Sequence, residues 1–389
     1  MPFQFKGSLQ ASKSLLNRAL LVQSFFPALK IKGDSNCDDV RHMKMSVVSM
    51  IRKQILDCGE AGTVFRFMGL RVSREPGVWT LKGSERLMKR PHDEMAFILN
   101  QLGVNVDFMP DGVIITSEGW KRPLFPIKIP RSRSSQFASG LLLSAWNLPF
   151  DLEFEFAGAA VSEGYWQMSL DLARSLGMQI EEPRGGSIRI PANQKIMAAF
   201  VDVEPDYSSM FAVVAAALVE GSVDITGVGD RSLQPDYIFM DLLKKMGAPM
   251  AMKDGVLHAH KAKKLLAIEA GFRGCPDLFP VMAVLCGYAD GTSILKEAPQ
   301  LALKESNRLK NTHGLLTSAG VESAIKGEGL VIYGRGMTFI PKDFVFDPDQ
   351  DHRMAMAAAL FRLREPKIKI QNGEVVRKSF PEFWSVLGL

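Results

Sequence analysis

Residues 12–34 read SKSLLNRALLVQSFFPALKIKGD, in which a small polar residue opens an apolar helix and a β-rich run ending near glycine follows. The same pattern recurs along the chain, at residues 61–84, 134–158, 208–229, 277–298 and 351–373. The copies begin about 70 residues apart, except that the first interval is about 50 residues. Similarity at a fixed period predicts a fold made of repeated structural units.

Each copy continues with a second helix, and most of these helices end in a Leu-Gly, Met-Gly or Ala-Gly stop that is typical of a helix C-cap. Alternating runs such as VNVDF, SIRI and GLVIYG then predict paired strands. The predicted unit is β-α-β-α-β-β, with three units to a domain. Only residues 44–61 separate Met43 from Gly62, so we expect the first unit to lack most of its strand pair. The second helices are expected to begin near Asp38, His92, Tyr165, Asp236, Lys304 and Phe380.

The composition excludes several classes of protein. A chain of 389 residues is too long for one compact core, which favours two domains. Hydrophobic residues make up 47% and charged residues 23%, which excludes a disordered chain. The four cysteines lie far apart without a C-x-x-C pair, which argues against a zinc site or a disulfide framework. The start lacks the pattern of a signal peptide, and no apolar run reaches the ~18 residues of a membrane span, so we expect a cytoplasmic protein.

Basic and hydroxyl side chains recur at the predicted helix starts. Free N–H groups and the positive end of the helix dipole suit phosphate or carboxylate, although Ser, Thr and Asp are also ordinary N-caps. Lysine and arginine oppose the dipole there, so their recurrence at equivalent places indicates a site for a pair of anionic substrates. The side chains are Lys13, Ser14, Arg18, Arg66, Arg131, Arg133, Ser134, Ser135, Gln136, Lys304, Arg308, Arg353 and Lys378.

Two carboxylates, Asp277 and Glu305, lie among these cations. General acid–base chemistry needs one group that takes a hydroxyl proton and another that donates a proton. The alternative is that both carboxylates only balance neighbouring Arg and Lys charges. The net charge of +5 allows anionic small molecules, but there is no basic run of the kind that binds nucleic acid.

Nine segments spread in order over all six copies form a recognisable set. They are SKSLLNRALL (12–21), DDVRHM (38–43), AGTVFR (61–66), SSQF (134–137), SLQPD (232–236), PDLFPV (276–281), LKESNRL (303–309), DHRMAM (351–356) and KSFPEFW (378–384). Together they resemble the 5-enolpyruvylshikimate-3-phosphate synthase family. The resemblance implies an α/β (α+β) fold of two domains, each with three units whose inner helices converge on the interdomain cleft as an inside-out α/β barrel.

The resemblance also implies the domain bounds and the reaction. The N-terminal domain would span residues 11–204, mainly on the shikimate 3-phosphate side. The C-terminal domain would join residues 1–10 to 205–389 and carry mainly the phosphoenolpyruvate side and the acid–base residues. The enzyme would transfer the enolpyruvyl group of phosphoenolpyruvate to the 5-hydroxyl of shikimate 3-phosphate and release phosphate, in the shikimate pathway of aromatic amino-acid biosynthesis. It would need no metal or organic cofactor, and we expect a monomer with no nucleic-acid or membrane partner.

Matching motifs imply roles for single residues. Asp277 would accept the 5-hydroxyl proton, and Glu305 would protonate the methylene carbon with help from Lys13. Shikimate 3-phosphate would be held by Lys13, Ser14, Arg18, Ser134, Ser135, Gln136, Ser162, Tyr165, Asp277 and Lys304. Phosphoenolpyruvate would be held by Lys13, Gly62, Arg90, Gln136, Arg308, Arg353 and Lys378.

Some positions depart from the family pattern, and other functions compete. Glu60 stands where Asn or Ser usually precedes Ala-Gly-Thr, Phe67 where many members have Pro or Leu, and Asn307 where Asp is usual. A paralogue that binds an anion without turnover is one alternative, supported by Glu60 and the short first unit. UDP-N-acetylglucosamine enolpyruvyl transferase is another, but the motifs fit it less well and no cysteine fits its mobile loop. Nucleic-acid binding, suggested by related units in RNA phosphate cyclases, lacks a basic run.

Overall fold

The computed structural model describes residues 3–183 and 186–389. The chain divides into two compact units. The N-terminal unit is Lys13–Val203, and the C-terminal unit joins the chain up to Ser12 to Glu204–Leu389. Helices and small sheets alternate through both units, which confirms the predicted α/β fold class.

Most repeats contain an inner helix and a second helix. The α-helices are α1 (Lys13–Gln23), α2 (Asp38–Ile51), α3 (Gly62–Val72), α4 (Glu85–Met88), α5 (Asp93–Gln101), α6 (Gln136–Leu143), α7 (Glu163–Ser175), α8 (Tyr207–Glu220), α9 (Phe239–Lys245), α10 (Phe279–Gly287), α11 (Arg308–Ala319), α12 (His352–Arg362) and α13 (Phe383–Leu387). Short 3-10 helices lie at Pro235–Ile238, Pro276–Leu278, Pro299–Leu303 and Gly373–Lys378.

The strands are short and belong to separate small sheets. They are β1 (Phe3–Gly7), β2 (Lys30–Lys32), β3 (Leu56–Asp57), β4 (Gly77–Lys82), β5 (Asn105–Met109), β6 (Gly112–Ser117), β7 (Ile127–Pro130), β8 (Leu152–Ala157), β9 (Ser187–Ile190), β10 (Phe200–Asp202), β11 (Gly221–Thr226), β12 (Met250–Lys253), β13 (Val256–His260), β14 (Glu269–Gly271), β15 (Thr292–Lys296), β16 (Ser323–Lys326), β17 (Gly329–Tyr333), β18 (Val345–Phe346) and β19 (Lys369–Ile370).

The inner helices form the core of each unit. In the N-terminal unit α1, α3 and α6 contact one another, and in the C-terminal unit α8, α10 and α12 do the same. Every residue of α10 is buried, as is nearly all of α8. A helix that is apolar on all sides is stable only when it is covered on all sides, which is why the sheets lie outside these helices. Among the described residues, none of the helices is both long enough and apolar enough to cross a membrane.

A complete sheet joins a parallel pair of strands to an antiparallel hairpin. This arrangement occurs in the orders β3-β4-β6-β5, β1-β11-β13-β12 and β14-β15-β17-β16. The first unit keeps only the parallel pair of β2 with β10, as the short interval between Met43 and Gly62 predicts.

Two further repeats are shorter than expected within the described residues. The third sheet has the order β7-β8-β9, with a single bridge from Glu181 to Arg189 in place of a fourth strand. In this segment the N–H of Gln179 donates to the side chain of Gln194 at 2.8 Å, and Pro183 has no N–H. Neither Gln179 nor Pro183 therefore donates a backbone hydrogen bond to a neighbouring strand. The sixth sheet is the pair β18-β19, because the following residues form a 3-10 helix and α13.

Equivalent glycines mark the same turn in two complete sheets. A Cβ atom on Gly112 would lie 2.1 Å from the carbonyl oxygen of Leu81, and one on Gly329 would lie 2.1 Å from that of Leu295. Both contacts are with backbone, which cannot rotate away. The close approach of the hairpin to the parallel pair therefore requires glycine at both positions.

Gly112→Ala is expected to lower the free energy of unfolding by about 1–3 kcal/mol, because the neighbouring strand must shift. Gly314 is the matched control, since it lies inside α11 and a Cβ there would meet nothing within 4 Å. Gly314→Ala should raise the stability by about 0.5–1 kcal/mol through helix propensity. Urea denaturation measures both, and equal effects of the two substitutions would contradict this account.

Candidate active site

The inner helices differ in whether a side chain caps their N-termini, and α10 of the C-terminal unit, with N-cap Leu278, has no side-chain cap. The N-cap residues of α3 and α6, Ala61 and Ser135, make no side-chain capping bond. In the C-terminal unit the Asp206 carboxylate caps α8, and the Asp351 carboxylate caps α12. A carboxylate at the N-cap occupies the place where an external anion would bind. The N-termini of α3 and α6 are therefore the better suited to bind a phosphate or a carboxylate.

Gly62 and Arg90 lie against each other at the start of α3. A Cβ atom on Gly62 would be 2.8 Å from a terminal nitrogen of Arg90. The guanidinium group thus lies directly over the first turn of the helix, and any side chain at position 62 would displace it. The structure brings together two residues that the sequence assigns to phosphoenolpyruvate.

Arg66 fixes the orientation of Gln136. The buried Arg66 guanidinium donates to Gln136 Oε1 at 2.7 Å and to the carbonyl of Pro91 at 3.1 Å. Gln136 Nε2 in turn donates to Thr63 Oγ1 at 2.8 Å. We call Thr63, Arg66 and Gln136 the Arg66 cluster. The sequence places Arg66 among the cations at helix starts, but the resemblance assigns no substrate to Arg66 or Thr63. Their location one turn apart on α3 is the signal that could have linked them.

Arg18 is a buried cation surrounded by neutral acceptors. Its side chain is 2% exposed and donates to Ser169 Oγ at 2.7 Å and to the carbonyls of Ser14 and Tyr165 at 2.8 and 3.0 Å. Burial lowers the pKa of Arg18 to about 9, which shows that the surroundings disfavour its charge. The Phe67 ring lies 5.4 Å from the guanidinium carbon. An anion bound beside Arg18 would compensate a charge that the protein itself leaves poorly compensated.

Lys13 forms an ion pair that the sequence analysis did not find. Its Nζ lies 2.7 Å from Asp39 Oδ2, and both side chains are largely buried. Asp39 belongs to the DDVRHM segment at the start of α2, and this segment is the only sequence signal for it.

The remaining predicted residues of the N-terminal unit lie at the starts of α6 and α7. Ser134 Oγ accepts a bond from the Gln136 N–H at 3.2 Å. Ser162 is the N-cap of α7 and has φ 54°, a left-handed conformation that a serine adopts only where its surroundings enforce it.

In the C-terminal unit one guanidinium holds three carboxylates. Arg308 is 1% exposed, and its nitrogens lie 2.8 Å from Asp277 Oδ1, 2.9 Å from Glu305 Oε2 and 2.8 Å from Asp351 Oδ2. We call these four residues the Arg308 cluster. Both carboxylates that the sequence assigns to acid–base chemistry therefore share one cation. Asp351, which also accepts a bond from Ser306 Oγ at 3.0 Å, is a member that the sequence assigned no role.

Further cations surround Asp277. Lys304 Nζ lies 3.5 Å from Asp277 Oδ1, and a terminal nitrogen of Arg353 lies 3.6 Å from Oδ2. Arg353 also donates to Ser208 Oγ on α8. Lys378 ends the 3-10 helix that packs against α12, the helix that carries Arg353.

The sequence placed Lys304 and Glu305 on the second helix of the fifth unit, and this placement is wrong. Both lie in the segment before α11, which begins at Arg308. The reason is Asn307, whose side chain accepts a bond from the Lys310 N–H and caps the helix. Because the two residues precede the helix, Glu305 can fold back onto Arg308.

The charges of the Arg308 cluster shift one another. Burial by itself would raise the pKa of Asp277, but Lys304, Arg308 and Arg353 outweigh it and hold the pKa well below its ordinary value. Burial likewise opposes the charge of Arg308, while Asp351, Glu305 and Asp277 raise its pKa. Asp277 is thus ionised in the free protein and is stabilised by the cations around it.

Asp277→Asn is expected to cost about 3 kcal/mol of unfolding free energy near pH 7, because it leaves three cations with one carboxylate fewer. A carboxyl group with a lowered folded-state pKa stabilises the protein above its unfolded pKa of about 4 and loses that effect as the pH falls further. Urea denaturation from pH 7 to pH 3 should therefore show the gap between wild type and variant closing below about pH 4. Asp343→Asn, at an exposed carboxylate, should change little. A gap that stays constant over this range would refute the assignment.

Comparison with known proteins identifies the family. The sequence profile of EPSP synthase (3-phosphoshikimate 1-carboxyvinyltransferase) matches residues 11–387. A 3-phosphoshikimate 1-carboxyvinyltransferase from Clostridium acetobutylicum is 30% identical over 365 residues, which cover 92% of this chain and 83% of the relative. One from Archaeoglobus fulgidus is 29% identical over 411 residues, covering 98% and 95%.

Solved structures show the same fold. The EPSP synthase from Acinetobacter baumannii superposes with a TM-score of 0.78 at 21% identity, covering 100% of this chain and 95% of that one. The enolpyruvyl transferase NikO from Streptomyces tendae gives 0.74 at 14% identity, covering 100% and 94%. From the profile match over nearly its whole length, the chain belongs to the EPSP synthase (3-phosphoshikimate 1-carboxyvinyltransferase) family.

Proposed function

We propose that the protein transfers the enolpyruvyl group of phosphoenolpyruvate to the 5-hydroxyl of shikimate 3-phosphate and releases phosphate. The observation that carries the proposal is the Arg308 cluster, in which Asp277 and Glu305 are bound to the same guanidinium. A protein can match the family and still have lost its catalytic residues, but this chain keeps two mostly buried carboxylates on one guanidinium group. We also propose that the enzyme is monomeric, is located in the cytoplasm and acts in the shikimate pathway.

The N-terminal unit supports shikimate 3-phosphate as the acceptor. The phosphate and carboxylate of this substrate need cations and N–H donors. Ser134 and Ser135 lie at the start of α6, and Arg18 donates to the carbonyl of Tyr165 in the first turn of α7. Arg18 donates to neutral acceptors, which are the carbonyls of Ser14 and Tyr165 and the hydroxyl of Ser169. Charge-assisted hydrogen bonds are worth about 1.5–3 kcal/mol each, enough to give a doubly charged ligand a large advantage over a neutral one.

The C-terminal unit supports the acid–base steps. In the free protein the surrounding cations make Asp277 a weak base. Phosphoenolpyruvate bound to Arg308 and Arg353 would share these cations, so the pKa of Asp277 would rise when the substrate is present. Asp277 would then take the 5-hydroxyl proton as the oxygen bonds to the central carbon of phosphoenolpyruvate, and Glu305 would give a proton to the methylene carbon. Loss of a proton from the new methyl group and departure of phosphate restore the double bond.

Two observations bear on the competing functions. The cysteines Cys37, Cys58, Cys275 and Cys286 are buried and free, and burial raises the pKa of each thiol, so none resembles a reactive cysteine on a mobile loop. Glu60, which would place a negative charge beside the anion site, accepts a bond from Ser84 Oγ at 3.2 Å. The buried thiols disfavour the UDP-N-acetylglucosamine branch. The bond from Ser84 gives the Glu60 carboxylate a hydrogen-bond partner within the protein.

The proposal is tested by phosphate release from purified protein supplied with shikimate 3-phosphate and phosphoenolpyruvate, each omitted in turn. Release that requires both substrates is the expected result. Release from phosphoenolpyruvate alone would indicate a phosphatase and contradict the proposal. Binding of shikimate 3-phosphate without any release would identify a paralogue that has lost turnover.

Glu305→Gln is expected to lower kcat by about 10²–10⁴-fold, because the amide cannot donate the proton to the methylene carbon. The calorimetric Kd of shikimate 3-phosphate should change by less than about threefold. The control is Glu322→Gln, at an exposed carboxylate that follows the other end of α11, which should keep normal turnover. Equal losses of turnover and of binding in Glu305→Gln would remove Glu305 from the acid–base role.

A further inference from the structure

Glu94 is a buried carboxyl group that the proposed mechanism does not use. It lies in the first turn of α5, is 4% exposed, and its Oε2 is buried without a hydrogen-bond partner. Buried carboxyl oxygens without partners are rare because no hydrogen bond offsets the free-energy cost of removing them from water. The first turn of a helix favours negative charge, but Asp93, which is exposed, already provides it there. The burial of Glu94 therefore needs another explanation.

Two arginines donate hydrogen bonds to residues just before Glu94. Arg66 donates to the carbonyl of Pro91, three residues before it. Arg133 donates to both oxygens of Asp93, its neighbour, at 2.7 and 3.0 Å. Arg66 also orients Gln136, so the start of α5, where Glu94 lies, is next to the guanidinium that organises the Arg66 cluster.

Burial raises the pKa of the Glu94 carboxyl to about 7, with Asp93 adding to the rise and Arg133 and Arg66 opposing it. His92 brings no positive charge, since burial together with Arg66 and Arg90 lowers the pKa of its imidazole to about 3. The strands packed against α5 are β5 and β7. Their charged residues are Asp107, which is exposed, and Lys128, whose Nζ pairs with Glu155.

We propose that Glu94 tunes the affinity of the N-terminal unit for an anionic substrate by taking up a proton when the anion binds beside Arg66. The inference rests on the proposed function, because it takes phosphoenolpyruvate as the anion. In the free protein an ionised Glu94 partly neutralises Arg66 and Arg133. A bound anion takes over that neutralisation and repels Glu94, which then becomes neutral. The residue thus determines how much cationic charge the site offers.

The sign of the pH dependence follows from linkage. A negative charge beside Arg66 raises the pKa of Glu94 above its value in the free protein. A group whose pKa rises on binding takes up a proton, so binding strengthens as the pH falls from the bound-state value toward about 7. A rise of one unit corresponds to a tenfold change in Kd in all, of which about fivefold falls between pH 9 and pH 7 because Glu94 is half ionised at pH 7 in the free protein. Gln at position 94 mimics the protonated carboxyl and removes the dependence.

The test is calorimetric titration of phosphoenolpyruvate, without shikimate 3-phosphate, into wild type, Glu94→Gln and the control Asp107→Asn between pH 7 and 9. Phosphate monoesters have their second pKa near ~6, so the ligand itself titrates little in this range. Wild type and Asp107→Asn should bind about fivefold more weakly at pH 9 than at pH 7. Glu94→Gln should bind with nearly constant affinity. Repeating the titration in two buffers of different ionisation enthalpy should show proton uptake in wild type and none in Glu94→Gln.

Coincident pH profiles for wild type and Glu94→Gln would overturn the inference, as would a lack of binding in every variant. If Glu94→Gln loses its cooperative unfolding transition, Glu94→Met supplies a neutral side chain of similar volume, and the same flat profile is expected. The phosphate-release assay separates this inference from the proposed function. Release by a wild type whose binding profile matches that of Glu94→Gln refutes the inference alone, whereas Glu94-linked binding without release refutes the function alone.

Discussion

The structure depends on how buried guanidinium groups are compensated. Arg18, Arg66, Arg308 and Arg353 are each no more than 3% exposed. Removing such a charge from water costs several kcal/mol, and only well-placed acceptors or anions recover that cost. In the C-terminal unit carboxylates supply the compensation, with three of them on Arg308. In the N-terminal unit the partners of Arg18 are neutral oxygens, and an anionic substrate would complete its compensation.

The repeated units also differ in how their inner helices begin. In each unit an inner helix begins where an anion could bind. The side chains at that position determine whether an anion can bind there. Asp206 and Asp351 cap their helices with carboxylates, whereas Ala61, Ser135 and Leu278 make no side-chain cap. The same repeated backbone is therefore combined with carboxylate caps in some units and with uncapped helix starts in others.

Sequence reasoning recovered what is local or periodic and missed what is formed by distant residues. The short interval before Gly62 revealed the reduced first sheet, whereas nothing periodic in the sequence predicts that the third sheet has three strands within the described residues, where Gln179 bonds to Gln194. The motifs found Asp277, Glu305 and Arg308, but Asp351 reaches Arg308 from 43 residues away, and its place in a DHR motif reads as an ordinary N-cap. The burial of single side chains could not be predicted either, because an acidic residue in the first turn of α5 looks the same in sequence whether it is solvated or buried.

The most direct test of the central claim is the shift in Tm that shikimate 3-phosphate causes in wild type and in Arg18→Gln. A ligand at about 100 times its Kd stabilises the native state by about 2.7 kcal/mol, which is readily measured. The account predicts a clear rise in Tm for wild type and little or none for Arg18→Gln, because the anion compensates a charge that the variant lacks. An equal rise in both proteins would show that Arg18 is compensated by the fold alone, and would contradict the account.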